Sequence, residues 1–244
     1  IDIVDPDEPF SLAVFLDHAK TAVDDICSRS KIPVLVGGTG QYVWGFLEGW
    51  NLPRVPPNAQ LRKNLESLAV SEGVHSLHKE LATLDPGAAE RIDPRNIRRV
   101  VRALEVKLSG TSDGRDSLKK IPIDYDVFIL GLTTDRKTLF GRIDSRVDRM
   151  IETGWIDEVV KLIGMGYHSN VSAMSGIGYR ELIQHIEGEV DVEEAVSRTK
   201  YRTHRFARQQ YAWFSHSDQR ISWFDIDAFA NEVPDRVLKW CRPS

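Results

Sequence analysis

The sequence predicts an α/β protein: a parallel-sheet core carrying a helical insertion and a largely helical C-terminal region. Three observations predict it. A short apolar run, Ile32 to Val36, is cut off by Gly37-Gly38-Thr39-Gly40, and a helical pattern starts at Gln41. A second apolar run, Asp126-Val127-Phe128-Ile129-Leu130-Gly131-Leu132, comes much later in the chain. Between them, the proline-rich break Asn51-Leu52-Pro53-Arg54-Val55-Pro56-Pro57-Asn58 opens a charged segment with helical patterns and no strand signal. Apolar strands alternating with helices are the signature of a parallel sheet.

The elements follow in order. Ser11 is placed to cap a helix whose apolar residues Leu12, Leu16, Ala19, Val23 and Ile26 recur at helical spacing. Ile32 to Val36 reads as a buried strand, and the helix from Gln41 runs through Val43, Trp44 and Leu47 to about Gly49. Short helices are expected over 60–71, 74–84 and 87–91, with a longer one from Asn96 to Leu108. Ser109 to Lys119 reads as a loop. The run from Asp126 reads as a second buried strand. Mostly helix follows, then a short strand at Ile221-Ser222-Trp223-Phe224 and a terminal helix near 228–241. The expected division is 1–51 with 96–244 as the α/β core and 52–95 as the insertion.

Composition narrows the function classes. The chain has 244 residues, 41% of them hydrophobic and 28% charged, which suits one large domain or two small ones. No apolar run approaches the roughly 18 residues of a membrane span, so a soluble, cytoplasmic protein is expected. Cys27 and Cys241 share no metal spacing with histidine, which points to a reducing compartment and against structural zinc. The histidines are scattered, and His75 and His78 read as surface residues; neither serine nor cysteine nucleophile chemistry has local support. Residue 1 is Ile, and Ile1 to Val4 reads as strand and loop from inside a domain, so the chain is expected to be part of something longer.

Chemistry is concentrated at the glycine turn and in the basic residues. A strand, a glycine turn and a helix start present backbone N–H groups and the Thr39 hydroxyl to an anion, or form only a tight turn. Arg142, Arg146 and Arg149 share a helix face at i, i+4 and i+7. That stripe either clamps a diphosphate bidentately or is a solvated face partnered by Asp144 and Asp148. Arg198, Lys200, Arg202, Arg205 and Arg208 fall where no acid occurs between Glu194 and Asp218. The interleaved Tyr201, Phe206, Tyr211, Trp213 and Phe214 read as core packing, with base stacking as the alternative. Arg91, Arg95, Arg98, Arg99 and Arg102 form a third cluster. On a chain of net charge −4, such local excess suits contact with a phosphate backbone, an elongated polyanion held at two places.

These residues resemble the bacterial tRNA dimethylallyltransferase (tRNA isopentenyltransferase) family. The match runs nearly end to end, through Ile1-Asp2 to Asp5-Pro6, Pro33 to Tyr42, Leu84-Asp85-Pro86 and Arg98-Arg99-Val100-Val101-Arg102-Ala103-Leu104-Glu105. It continues through Arg142 to Met150, Ile177-Gly178-Tyr179-Arg180-Glu181-Leu182 and Trp213-Phe214. The resemblance implies a P-loop-NTPase-like core. It also implies transfer of a dimethylallyl group from dimethylallyl diphosphate to N6 of the adenosine 3′ of the tRNA anticodon, position 37, with Mg²⁺ as cofactor; a cytoplasmic monomer is the expected form.

By position, the resemblance implies that Arg146, with Arg142 beside it, contacts the diphosphate. Thr39, Gly37, Gly38 and Gly40 would line the reaction channel. Arg62, Arg98, Arg99, Arg102, Ser175, Gly176, Ile177, Gly178, Tyr179, Arg180, Arg208, Gln209, Gln210 and Trp213 would contact tRNA, and the insertion would close over the anticodon stem-loop. No metal ligand is assigned among these residues. The family's P-loop, Gly-x-x-x-x-Gly-Lys-[Ser/Thr], and the segment beginning Asp-Ser whose Asp is the general base would precede the point where this sequence starts, so these 244 residues alone are expected to be inactive. His204 and Gln209 stand where the family pattern has basic residues. A prenyltransferase of free adenine nucleotides, and a nucleotide-kinase-like or RNA-binding protein without prenyl transfer, remain alternative readings.

Overall fold

The computed structural model describes residues 2–53, 55–110, 119–121, 123–227 and 229–241. The expected loop at 109–119 lies mostly outside them. The chain divides into two compact units, Ile1–Gly45 with Asp124–Ser244, and Phe46–Ile123.

In the first unit, α1 (Leu12–Ser28) starts where expected, with the Ser11 hydroxyl accepting the Val14 N–H. It buries no residue fully; Leu12 and Leu16 lie against Gly45, and Phe15 stacks on Tyr42 with ring centroids 4.4 Å apart. The strand expected at Ile32 to Val36 is not formed. That segment pairs with no described strand, and Val34 and Val36 are 77% and 87% exposed. An apolar run becomes a buried strand only when neighbours take its backbone hydrogen bonds and cover its faces, and none of the described residues does so. After the glycine turn, α2 (Gly40–Leu47) begins one residue earlier than the pattern indicated.

The sheet of this unit pairs β3 (Ile129–Thr133) parallel to β4 (Ile221–Asp225), Ile129 opposite Ile221 and Thr133 opposite Asp225. The connection between parallel strands must cross over. It does so through α7 (Arg136–Glu152), α8 (Trp155–Gly164), a 3₁₀ turn at Ala173–Ser175, α9 (Tyr179–Ile186) and α10 (Val192–Trp213), and α11 (Phe229–Trp240) follows β4. β3 is half-buried rather than buried, with Leu132 exposed. The unit's core lies among the crossover helices, where Val147, Trp155, Val159, Met174, Leu182, Ile183 and Ala195 pack together. Burying a side chain such as Leu182 contributes about 2 kcal/mol.

The second unit is helical: α3 (Ala59–Glu72), α4 (Val74–Leu84), α5 (Pro86–Arg91) and α6 (Ile97–Leu108), with a short antiparallel pair β1 (Trp50–Asn51) and β2 (Lys119–Lys120). Side-chain caps set its helix starts: Asn58 accepts the Leu61 N–H, and Asp85 accepts the Ala88 N–H beside Pro86. Its packing runs beyond 52–95, because α6 places Val100, Val101 and Leu104 in one core with Leu65, Leu77 and Leu81. His75 is exposed as expected, but His78 is half-buried, its Nε2 3.0 Å from the carbonyls of Ala89 and Ile92. That ring nitrogen must therefore carry a proton to donate. No described helix is long and apolar enough to cross a membrane.

The glycine turn is shaped by the end of α10. Gln210 donates from Nε2 to the Gly38 carbonyl at 3.1 Å, and a Cβ on Gly40 would fall 2.2 Å from the Trp213 ring. Nothing lies within 4 Å of a Cβ on Gly37. Gly40→Ala is expected to cost about 2 kcal/mol through overpacking, and Gly37→Ala less than about 0.5 kcal/mol. Urea-unfolding midpoints of the two variants check this contrast.

Candidate functional site

Thr39 closes the glycine turn. Its carbonyl accepts the N–H groups of Tyr42 and Val43 at 2.9 and 3.1 Å, which makes it the cap of α2. The residue is exposed, and its hydroxyl has no hydrogen-bond partner among the described residues. Nor have the N–H groups of Gly40 and Gln41, so a free hydroxyl and unsatisfied N–H groups meet at the positive end of a helix dipole. The corner is held from behind. Trp44 donates from Nε1 to the Trp213 carbonyl at 2.7 Å and packs on Phe214, while the Arg220 guanidinium sits 4.1 Å over the Trp44 ring.

The acids of α7 turn away from its arginines. Asp144 lies 2.8 Å from His204 and Asp148 lies 2.6 Å from Lys200, both on α10, and His204 stacks on Phe140 at 4.0 Å. The pairing runs up one helix and down the other, so α7 and α10 are antiparallel. Among the described residues, neither Asp144 nor Asp148 pairs with the arginine stripe. Arg146 and Arg149 are exposed with no partner among the described residues, and Arg142 donates to Asp227 at 2.8 Å. Asp227 follows β4, which places Arg142 at the carboxyl edge of the parallel strands, where α/β sheets receive ligands. An exposed pair of this kind is worth at most about 1 kcal/mol and leaves Arg142 free to change partners.

Helix α10 sorts its polar side chains by direction. Lys200, Arg202 and His204 face acids: Asp148, Glu181 and Asp144. Arg198 pairs with Glu194 one turn back, while Arg205 and Arg208 are exposed without described partners, as is Gln209. The aromatics expected in the core are largely outside it. Tyr201, Phe206, Tyr211 and Trp213 are exposed, because the buried face of this helix is made by Ala195 and Thr199 and closed by ion pairs.

Ser175 to Arg180 forms one turn over the core of this unit. Gly178 has φ +92°, and a Cβ there would lie 2.0 Å from the Trp155 ring, so only glycine fits. Its N–H donates to the fully buried Glu181 at 2.8 Å, and the other Glu181 oxygen lies 3.0 Å from Arg202 without hydrogen-bond alignment. Tyr179 donates to Glu158 at 2.6 Å; burial pushes its phenol pKa up, and the carboxylate adds to the effect. Ser175, Ile177 and Arg180 point outward.

In the helical unit, Arg62 and Arg102 both hold Glu105, which is 1% exposed. Arg62 donates Nε and Nη2 to the two carboxylate oxygens at 2.9 and 2.7 Å, and the Asn58 N–H adds a third bond at 2.7 Å. Arg102 donates to Glu105 and to the Val55 carbonyl. Burial works to raise the Glu105 pKa, but the bonds from Arg62, Asn58 and Arg102 outweigh it and bring it to about 2. Arg98 and Arg99 are exposed with no described side-chain partner.

Residues 1–217 match the family model described as IPP transferase. The chain belongs to that family. It is 48% identical over 214 residues to the tRNA dimethylallyltransferase of Roseiflexus sp. (strain RS-1), covering 88% of this chain and 70% of the relative. With the enzyme of that name from Thermomicrobium roseum it shares 42% over 226 residues, 93% of this chain and 68% of the relative. The crystal structure of full-length tRNA isopentenylpyrophosphate transferase from Bacillus halodurans aligns at TM-score 0.66 and 37% identity, over 98% of this chain and 76% of that one. A eukaryotic dimethylallyltransferase structure described as acting on tRNA aligns at TM-score 0.76 and 25% identity, over 98% and 63%.

In this family member, then, Gly38, Gly40, Gln210 and Trp213 meet at one corner with Thr39, and Arg62 meets Arg102 on a shared carboxylate. Three acids that hold candidate site residues, two in the α/β unit and one in the helical unit, were not among those candidates. Glu181 follows Gly178 by three residues, a helix-start spacing that signals a capping carboxylate. Glu105 follows Arg102 at i+3. Asp227 carries no local signal.

A carboxylate held below its ordinary 4.5 contributes stability that is complete above about pH 5 and lost as pH falls through about 2. The stability difference between wild type and Glu105→Gln is expected to shrink by about 3 kcal/mol over that fall. Urea unfolding at pH 7 and pH 2 measures it.

Proposed function

We propose that the chain acts in transfer of a dimethylallyl group from dimethylallyl diphosphate to N6 of the adenosine 3′ of the anticodon, position 37, in tRNA. The observation that carries this reading is the arginine stripe of α7: Asp144 and Asp148 are engaged by α10, Arg142 stands at the carboxyl edge of the sheet, and Arg146 is exposed without a described partner. Family membership narrows the leaving anion they would meet to a prenyl diphosphate.

In this reaction the allylic C–O bond breaks, a C–N bond forms, the N6 amine loses a proton and diphosphate departs. The amine is a poor nucleophile, because its lone pair is delocalised into the ring, so a general base assists. Guanidinium groups stabilise the charge that grows on the diphosphate. The Thr39 hydroxyl and the first N–H groups of α2 are proposed to orient the reacting end. The adenine must leave its stack to reach them. Arg98, Arg99 and Arg180, with the outward Arg205 and Arg208, are proposed to hold RNA phosphates, which position without reading sequence.

Among the described residues, no three His, Cys, Asp or Glu come together to hold a metal. Mg²⁺ is therefore proposed only as a companion of the diphosphate, and no step here runs through it. A cytoplasmic monomer is the proposed working form. The P-loop pattern that the family resemblance implies does not occur in these 244 residues, so a polypeptide of them alone is proposed to be inactive.

Nucleoside mass spectrometry of tRNA incubated with the full-length protein and dimethylallyl diphosphate tests the reading. Prenylated adenosine in tRNA is expected; a prenylated free nucleotide, or none, overturns it. The 244-residue polypeptide should give no product in the same assay, and any turnover by it refutes its proposed inactivity. In the full-length protein, Arg146→Ala should remove about 2–4 kcal/mol of transition-state stabilisation, read from kcat/KM. Unchanged turnover would reduce the stripe to a solvated face.

A further inference from the structure

Glu105 differs from the other acids near the basic clusters because it is fully buried and yet serves two arginines that are not. Its side chain is 1% exposed, while those of Arg62 and Arg102 are 37% and 39% exposed. Each guanidinium uses two of its nitrogens inward, Arg62 on the two Glu105 oxygens and Arg102 on Glu105 and the Val55 carbonyl. Each keeps unused donors. The Asn58 N–H completes the grip on the carboxylate, so the N-terminus of α3 and the middle of α6 are fixed to one point. Arg98 stands one turn before Arg102 on the same face of α6, about 6 Å along its axis, exposed and without a described partner.

We infer that Glu105 is a positioning residue: its buried carboxylate fixes Arg62 and Arg102 as a preoriented pair of clamps for phosphates of the tRNA backbone. The inference rests on the tRNA reading given above. Stability alone is a poor reason for this arrangement, since buried ion clusters are often replaced by apolar residues without loss. A preoriented fork is a good one. A long side chain held in place gives up little freedom when it meets a phosphate, and guanidinium groups reward fixed geometry more than ammonium groups do.

The inference separates from simple electrostatics by sign. Removing a negative charge beside two arginines makes the face more basic, and charge alone then predicts tighter RNA binding. Loss of positioning predicts weaker binding. Filter binding of tRNA to the full-length protein and its Glu105→Gln variant, each checked as folded by circular dichroism at the assay temperature, decides between them. The dissociation constant is expected to rise about tenfold for Glu105→Gln. It is expected to change less than about twofold when the same substitution is made in an Arg62→Ala, Arg102→Ala background, where nothing remains to be positioned.

Equal or tighter binding by Glu105→Gln overturns the inference. So does an equal loss in the arginine-free background. If Glu105→Gln does not fold, the double variant Arg62→Lys, Arg102→Lys replaces it, keeping the charge without the fork. About tenfold weaker binding supports positioning, and unchanged binding overturns it. A wild-type protein that does not bind tRNA overturns the tRNA reading itself, and this inference with it.

Discussion

The packing of α10 is the constraint on which the α/β unit depends. At its C-terminal end, Gln210 and Trp213 press on Gly38 and Gly40 so closely that a Cβ at either glycine would collide. Six residues earlier, about 9 Å along the helix, His204 meets Phe140 and Asp144 of α7. One rigid helix thus fixes the corner that carries Thr39 and the helix that carries Arg142 and Arg146. The glycines are there for a physical reason: the end of a large helix comes within contact distance of the backbone.

Charge is distributed by the same helix. Lys200 and His204 occupy the acids of α7, and Arg202 meets the buried Glu181. Outward, Arg146 and Arg149 on α7 and Arg205 and Arg208 on α10 are exposed with no described partner. An acidic protein can present unpaired arginines in this way because folding pairs some of its carboxylates with other cations, and net charge carries no information about that sorting.

Each unit also uses a buried carboxylate as an anchor. Glu181 fixes the Gly178 turn by accepting its N–H, and Glu105 ties the start of α3 to α6 through Asn58 and two arginines. Buried carboxylates are costly unless their lone pairs are filled. The Glu105 carboxylate is well supplied with donors, while one Glu181 oxygen relies on an ionic contact with Arg202 that lacks hydrogen-bond alignment.

By itself the sequence determined what depends on local spacing. The Ser11 cap, the helices from Ala59 to Arg91, the strand at Ile221 and the helical run containing Arg142 to Met150 all follow from periodicity and capping chemistry. The chain's place in its family was legible separately, from the resemblance of its ordered motifs. Only the tertiary structure decided which charges are paired, that Ile32 to Val36 stays unpaired, and that Tyr201 and Phe206 face outward. Those outcomes depend on partners far away in the chain, such as Asp148 for Lys200, Asp227 for Arg142 and Glu181 for Arg202. An ion pair is set by distance in space, and no residue spacing along a helix encodes the helix that will pack against it.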